Sequence, residues 1–200
     1  MTRTIEITAE TYARLEKLAV GFDSPEAVIN RLLDQAEGKP ETKPTLMFFP
    51  EDETEFKREL IKTKEAEVVL YKVDGTREVS RWNANKLTES SNLRGNLWSG
   101  LLRNWKEKGI KKAEFFVLPP TITYPDGDDG RVGLNKALSL KLNLTYEEVE
   151  LLEYEVHTNE SDDGLVYGHY VEIDLDNSDP EVLAKAEIDD DNYSFEVDLD

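Results

Sequence analysis

Nine cationic side chains fall between residues 77 and 112: Arg77, Arg81, Lys86, Arg94, Arg103, Lys106, Lys108, Lys111 and Lys112, against only Glu78, Glu89 and Glu107. Asn83, Asn85, Asn92, Asn96, Asn104 and all three tryptophans (Trp82, Trp98, Trp105) share that stretch. Guanidinium and ammonium groups bind phosphate, amides match the hydrogen-bonding edges of bases, and indoles stack on them. The combination points to nucleic acid. Arg77, Arg81, Lys86, Arg94, Arg103, Lys106, Lys111 and Lys112 are the candidates for backbone contact, and Asn92 and Asn96 for base readout. Ser90-Ser91-Asn92 opens a predicted helix, whose free N–H groups offer another place for a phosphate. A plainer account covers part of this stretch. On a helical wheel Leu93, Leu97, Trp98, Leu101, Leu102 and Trp105 share one broad face, which assigns two tryptophans to a core.

The rest of the chain has the opposite sign. Residues 1–54 carry 6 Lys/Arg against 11 Asp/Glu, residues 55–113 carry 14 against 8, and residues 114–200 carry 4 against 24, for net charges of −5, +6 and −20. Acidification for salt tolerance would spread along the whole chain, so this separation implies separate tasks. Strand alternation over 152–156, 165–175 and 193–199 turns Leu152, Tyr154, Val156, Tyr167, His169, Val171, Ile173, Leu175, Tyr193, Phe195, Val197 and Leu199 inward. Glu153, Glu155, Glu172, Asp174, Glu196 and Asp198 then stand outward. On one sheet they form a carboxylate lattice with spacings of roughly 6.7 Å along a strand and about 4.8 Å across. Such a lattice imitates a phosphate array and suits a basic partner protein, or the basic segment of the same chain. A solvated face tuned for solubility is the plain alternative.

No catalytic constellation is visible, and neither a cofactor nor a metal is expected. His169 falls on an apolar side, and His157 lacks a nucleophile. Asp126-Gly127-Asp128-Asp129-Gly130 resembles a calcium loop for three residues, but Arg131 stands where glycine is needed and no closing glutamate follows. Glu55-Phe56-Lys57 lies in a predicted helix without the upstream acid a nuclease site requires. With no cysteine among the 200 residues, disulfides and thiolate chemistry are excluded. No apolar run approaches the length of a membrane span, and the start is no signal peptide, so a soluble cytoplasmic protein is expected.

These residues need elements to position them. Residues 3–8 read as a strand with Ile5 and Ile7 on one side and Thr4, Glu6 and Thr8 on the other. A Thr8 cap opens a helix bearing Tyr12, Leu15, Leu18 and Ala19. Ser24-Pro25-Glu26 opens a second, with Val28, Ile29, Leu32, Leu33 and Ala36 on its stripe and Gly38 at its end. Thirty-eight residues cannot bury these stripes alone, so the unit must pair. It resembles the ribbon-helix-helix family, and within it the amino-terminal dimerisation domain of SeqA-type replication regulators, with their Thr-Ile-Glu-Val type strand and early Tyr. The resemblance covers about a fifth of the chain. It implies a homodimer whose strands pair and whose helices interlock through Ile5, Ile7, Tyr12, Leu15, Val28, Ile29 and Leu32. It also implies self-association, with DNA reading left to another domain. Two Glu6 carboxylates facing a phosphate-rimmed groove argue the same way.

A proline-marked linker (39–44) follows. Residues 45–118 read as a strand (45–49), a helix (53–62) capped by Asp52 or Thr54, a hairpin (66–82) turning at Asp74-Gly75, a helix (91–108) stopped by Gly109, and a strand (112–118). After a loop (119–131), residues 132–200 read as helices at 134–142 and 145–151, a hairpin (152–158 with 165–176), a helix at 179–187 and a strand at 192–200. The expected fold is α+β: a ribbon-helix-helix dimerisation unit and two small α+β units with mostly antiparallel strands. The expected function is that of a non-enzymatic, dimeric DNA-associated regulator, whose head pairs two copies and whose basic unit contacts double-stranded DNA. The alternative is an acidic DNA mimic that binds a basic partner.

Overall fold

The computed structural model describes residues 4–19, 23–38, 42–120, 131–160 and 166–197. The chain is a mixed α+β protein with seven helices and two mostly antiparallel sheets among the described residues. Residues 4–8 form no strand. Helices α1 (Ala9–Leu18) and α2 (Pro25–Ala36) start at the expected caps, where Thr8 Oγ1 accepts from Thr11 N–H and Ser24 Oγ from Ala27 N–H, both at 3.2 Å. Across these two helices only Val28 is buried. Asp34 of α2 pairs with Lys106, which ties the head to the central unit.

The central sheet has the order β1-β4-β2-β3, built from β1 (Thr45–Phe49), β2 (Glu65–Lys72), β3 (Arg77–Asn83) and β4 (Ile110–Val117). β1 lies parallel to β4, and the other pairings are antiparallel. Helix α3 (Glu53–Thr63) starts on Asp52, whose carboxylate accepts from Glu55 N–H at 2.8 Å. Ala66, Val68 and Leu70 of β2 join Phe56 and Leu60 of α3, Leu93 and Leu97 of α4 (Leu93–Ser99), and Phe115 of β4 in one core. The helix expected over 91–108 ends at Ser99. A side chain at Gly100 would bring its Cβ to 3.0 Å from the Asn96 carbonyl, and Asn104 and Gly109 both take positive φ, so residues 100–109 run as successive turns. Leu102 is nevertheless fully buried, and Trp82, Trp98, Leu101 and Trp105 pack against the same core.

The carboxy-terminal unit has its own core of Leu138, Leu144, Val149, Val171 and Ile173. It comprises α5 (Val132–Leu142), α6 (Tyr146–Val149), β5 (Tyr154–Glu160), β6 (Val166–Ile173), α7 (Pro180–Lys185) and β7 (Ser194–Val197), with sheet order β5-β6-β7. Val171 and Ile173 point inward as expected, whereas Val156, directly across from Val171 on the outer strand β5, and Tyr193, which precedes β7, are exposed. The stretch 126–130, read above as failing the calcium-loop pattern, lies outside the described residues. No helix among the described residues is long and apolar enough to cross a membrane.

Candidate nucleic-acid interface

β3 is an edge strand, and its two faces have different surroundings. Arg77, Val79 and Arg81 face the carboxy-terminal unit. The Arg77 guanidinium donates to both Glu148 carboxylate oxygens (3.2 and 2.8 Å) and to the Asn143 carbonyl (2.7 Å). The Asn143 side chain accepts from Val79 N–H at 2.7 Å and donates to the Arg77 carbonyl at 3.2 Å, covering the strand edge as a further strand would. Arg81 donates to the Lys136 carbonyl at 2.5 Å. Lys136 pairs with Glu65, and Glu67 accepts from Tyr146 N–H at 2.9 and 3.1 Å.

Charge in this seam is largely compensated. Burial alone would raise the Glu148 carboxyl, but Arg77, Lys185 and the Thr145 N–H outweigh it and hold the group at about 2. Glu67 is the opposite case: burial dominates, and its carboxyl is pushed up to about 7 despite the Tyr146 N–H and nearby Arg81 and Arg77. Burial and a hydrogen bond to Glu114 raise the Tyr71 phenol to about 12. Arg77 is only 14% exposed. Arg77 and Arg81, two of the sequence candidates, thus hold the two units together.

The other face of β3 presents Glu78, Ser80 and Trp82 toward α4. Two adjoining cavities of about 430 and 460 Å³ lie there and share Trp82 and Asn96 in their walls. Ser80, Gly100 and Lys108 line the first, and Asn83, Asn85, Lys86 and Ser91 the second. The wall of residues 84–92 is pinned from behind. Ala84 and Leu87 are buried, Ala84 N–H donates to the Lys64 carbonyl at 2.7 Å, and Lys57 Nζ donates to the Glu89 and Ser91 carbonyls at 2.5 and 2.7 Å. These bonds use backbone groups and leave the Asn83, Asn85 and Asn96 amides without a side-chain partner among the described residues. Asn92 has a structural role: its side chain accepts from Gly95 N–H at 2.8 Å as the cap of α4.

The remaining cations divide into paired and free. Arg94 pairs with Glu53 (2.8 Å), Lys106 with Asp34, and Lys112 with Glu114 (2.7 Å) over the Tyr71 ring. Lys86, Arg103 and Lys111 are exposed with no ion-pair partner among the described residues, as is Lys108. Trp82, Asn83, Asn85 and Lys108 join the groove without being among the candidates that charge and position favour. The signal for them is the alternation of β3, which puts Trp82 on the face opposite Arg81.

On the three-stranded sheet Glu155 lies directly across from Glu172, and Glu196 across from Tyr170. Glu153 is exposed just before β5. His157 Nε2 lies 3.5 Å from Glu172. Asp174 departs from the expected lattice: it follows β6 and its carboxylate accepts from Asn177 and Asp176, which lowers its pKa. Asp198 lies outside the described residues. No group of three or more His, Asp or Glu among the described residues is placed to hold a metal ion. No protein-family model, curated protein or solved structure matches the chain.

Proposed function

We propose that this protein is a dimeric nucleic-acid-associated regulator that contacts DNA through the helical side of its central unit. The observation that carries this reading is the groove between β3 and α4, with three amides, and a lysine in each cavity, that have no side-chain partner among the described residues, in the one segment of net positive charge. Arg103 and Lys111 are the further free cations that serve the phosphate backbone. Arg77 and Arg81 have no part in it, because their guanidiniums are engaged in the seam by Glu148 and by the Asn143 and Lys136 carbonyls. The test is a salt titration of DNA binding, with single-stranded and duplex probes. Affinity should fall steeply with salt, and Arg103→Glu with Lys111→Glu should flatten the slope by about 0.9 for each phosphate left without its cation. A flat slope in the unsubstituted protein removes the reading.

The head supplies the pairing. Ile5 is 72% exposed, Ile7, Tyr12, Leu18, Leu32 and Leu33 are exposed too, and a unit with one buried residue in two helices has no core of its own. A second copy pairing along residues 4–8 would cover these side chains, in the manner of the ribbon-helix-helix resemblance. Sedimentation should give a dimer for the full chain and a monomer for Ile5→Asp with Ile7→Asp. A monomeric unsubstituted protein would exclude this part.

A second reading rests on the Glu155–Glu172 register. Like charges directly opposed across strands destabilise a sheet, which suits a face that meets a cationic partner. Glu155→Gln, Glu172→Gln and Glu196→Gln together should abolish salt-sensitive binding to an immobilised basic protein such as a histone, and undiminished binding would refute it.

A further inference from the structure

The geometry points to an unpaired stretch of nucleic acid, rather than a duplex, as the ligand of the groove: a base set against Trp82 and the Asn83, Asn85 and Asn96 amides, with phosphates at Lys86 and Lys108. This rests on the nucleic-acid reading above and narrows it. The reason is shape. Base edges of a duplex lie at the floor of a major groove about 8.5 Å deep, so a protein reads them with a projecting helix or ribbon. Here the amides, though exposed, stand in the walls of two adjoining open hollows around Trp82. A hollow wall fits the floor of a major groove poorly. An unstacked nucleotide turns its base outward and can enter such a groove.

The chemistry of the walls agrees with that ligand. Each amide offers both donors and an acceptor, which is what the Watson–Crick edge of a free base requires. Trp82 packs one side on the core and lends the rest of its indole to both cavities, a fixed apolar surface for a base. The one carboxylate in the lining, Glu78, is paired with Lys72 at 2.9 Å, so its charge does not face an incoming phosphate alone. At Gly100 the groove wall consists of backbone. A Cβ added there would press on the Asn96 carbonyl at 3.0 Å. The wall of residues 84–92 is already fixed by the Lys57, Ala84 and Leu87 contacts, so binding orders little that is not ordered beforehand.

The test measures fluorescence anisotropy of the full chain with labelled oligo-dT, oligo-U and a duplex of equal length at low salt. Either single strand should bind on the order of tenfold more tightly than the duplex, and preference between the two oligomers reports the sugar. The Asn85 and Asn96 side chains are exposed and make no other bond among the described residues. Asn85→Ala with Asn96→Ala should therefore weaken single-strand binding on the order of tenfold with an unchanged melting curve. Duplex binding equal to or tighter than single-strand binding, indifferent to these substitutions but abolished in Arg103→Glu with Lys111→Glu, overturns the groove assignment and leaves the DNA reading in place. Absence of binding to all three probes overturns both.

Discussion

Replacing Arg77 by methionine is expected to lower the unfolding free energy by about 2 kcal/mol, because it removes two charge-assisted hydrogen bonds from a largely covered Glu148 and leaves Lys185 as its counter-charge. Arg77 and Glu148 are 14% and 20% exposed and bonded through both carboxylate oxygens. Methionine fills the volume of the side-chain stem and supplies no donor to Glu148 or to the Asn143 carbonyl. Adding Glu148→Gln should cost less than the sum of the two single substitutions, since both act on the same pair. Urea unfolding at neutral pH measures both. The acid limb gives a second check. Glu148 is depressed from 4.5 to about 2 in the folded protein. Its stabilisation is therefore complete above about pH 4.5 and disappears as pH falls toward 2. Arg77→Met should make that decline shallower. An Arg77→Met protein as stable as the unsubstituted one, with the same acid limb, would mean that the pair does not join the units.

That seam also shows how far sequence could lead. The β2–β3 hairpin was legible because alternation and Asp74-Gly75 agree, and α3 because Asp52 is a strong cap ahead of an apolar stripe. The two head helices were legible from Thr8 and Ser24-Pro25. Local patterns of this kind report local structure. The extent of α4 was not legible, since Leu101, Leu102 and Trp105 continue the helical period while reaching the core from turns. A period records which side chains are apolar and does not fix the backbone that carries them. The site divided in the same way. Arg77 and Lys86 look alike in a sequence; what separates them is Glu148, which lies 71 residues from Arg77. Glu65 and Glu67 alternate with Ala66 and Val68 along β2, which by itself does not say what covers them. In the structure the carboxy-terminal unit covers that face: Glu67 is buried against its backbone and half-buried Glu65 pairs with its Lys136. Asn143 combines two roles: it takes the left-handed conformation that ends α5, and its amide covers the β3 edge.

Glu67→Gln is expected to stabilise the protein at pH 8 by up to about 3 kcal/mol and to leave it unchanged near pH 4.5. Glu67 is 2% exposed, and its carboxyl is pushed up to about 7, first by burial and then by the nearby Glu148 charge. Arg81 and Arg77 draw it the other way, as does the Tyr146 N–H, and they do not prevail. A raised folded value means that the native protein keeps a proton which the unfolded chain releases above about 4.5. Stability on this account is full below that pH and declines as pH rises to about 7, where the folded carboxyl ionises in turn. Glutamine retains an oxygen to accept from Tyr146 N–H and carries no charge to desolvate. The difference between the two proteins should therefore open between pH 4.5 and 7 and stay constant above. Thermal or urea unfolding across that range reads it directly. A difference already present at pH 4.5 and independent of pH would show that Glu67 enters the fold ionised, with Arg81 and Arg77 as full counter-charges. The window lies above the acid limb of Glu148, so the two carboxylates of the seam are separable by pH alone.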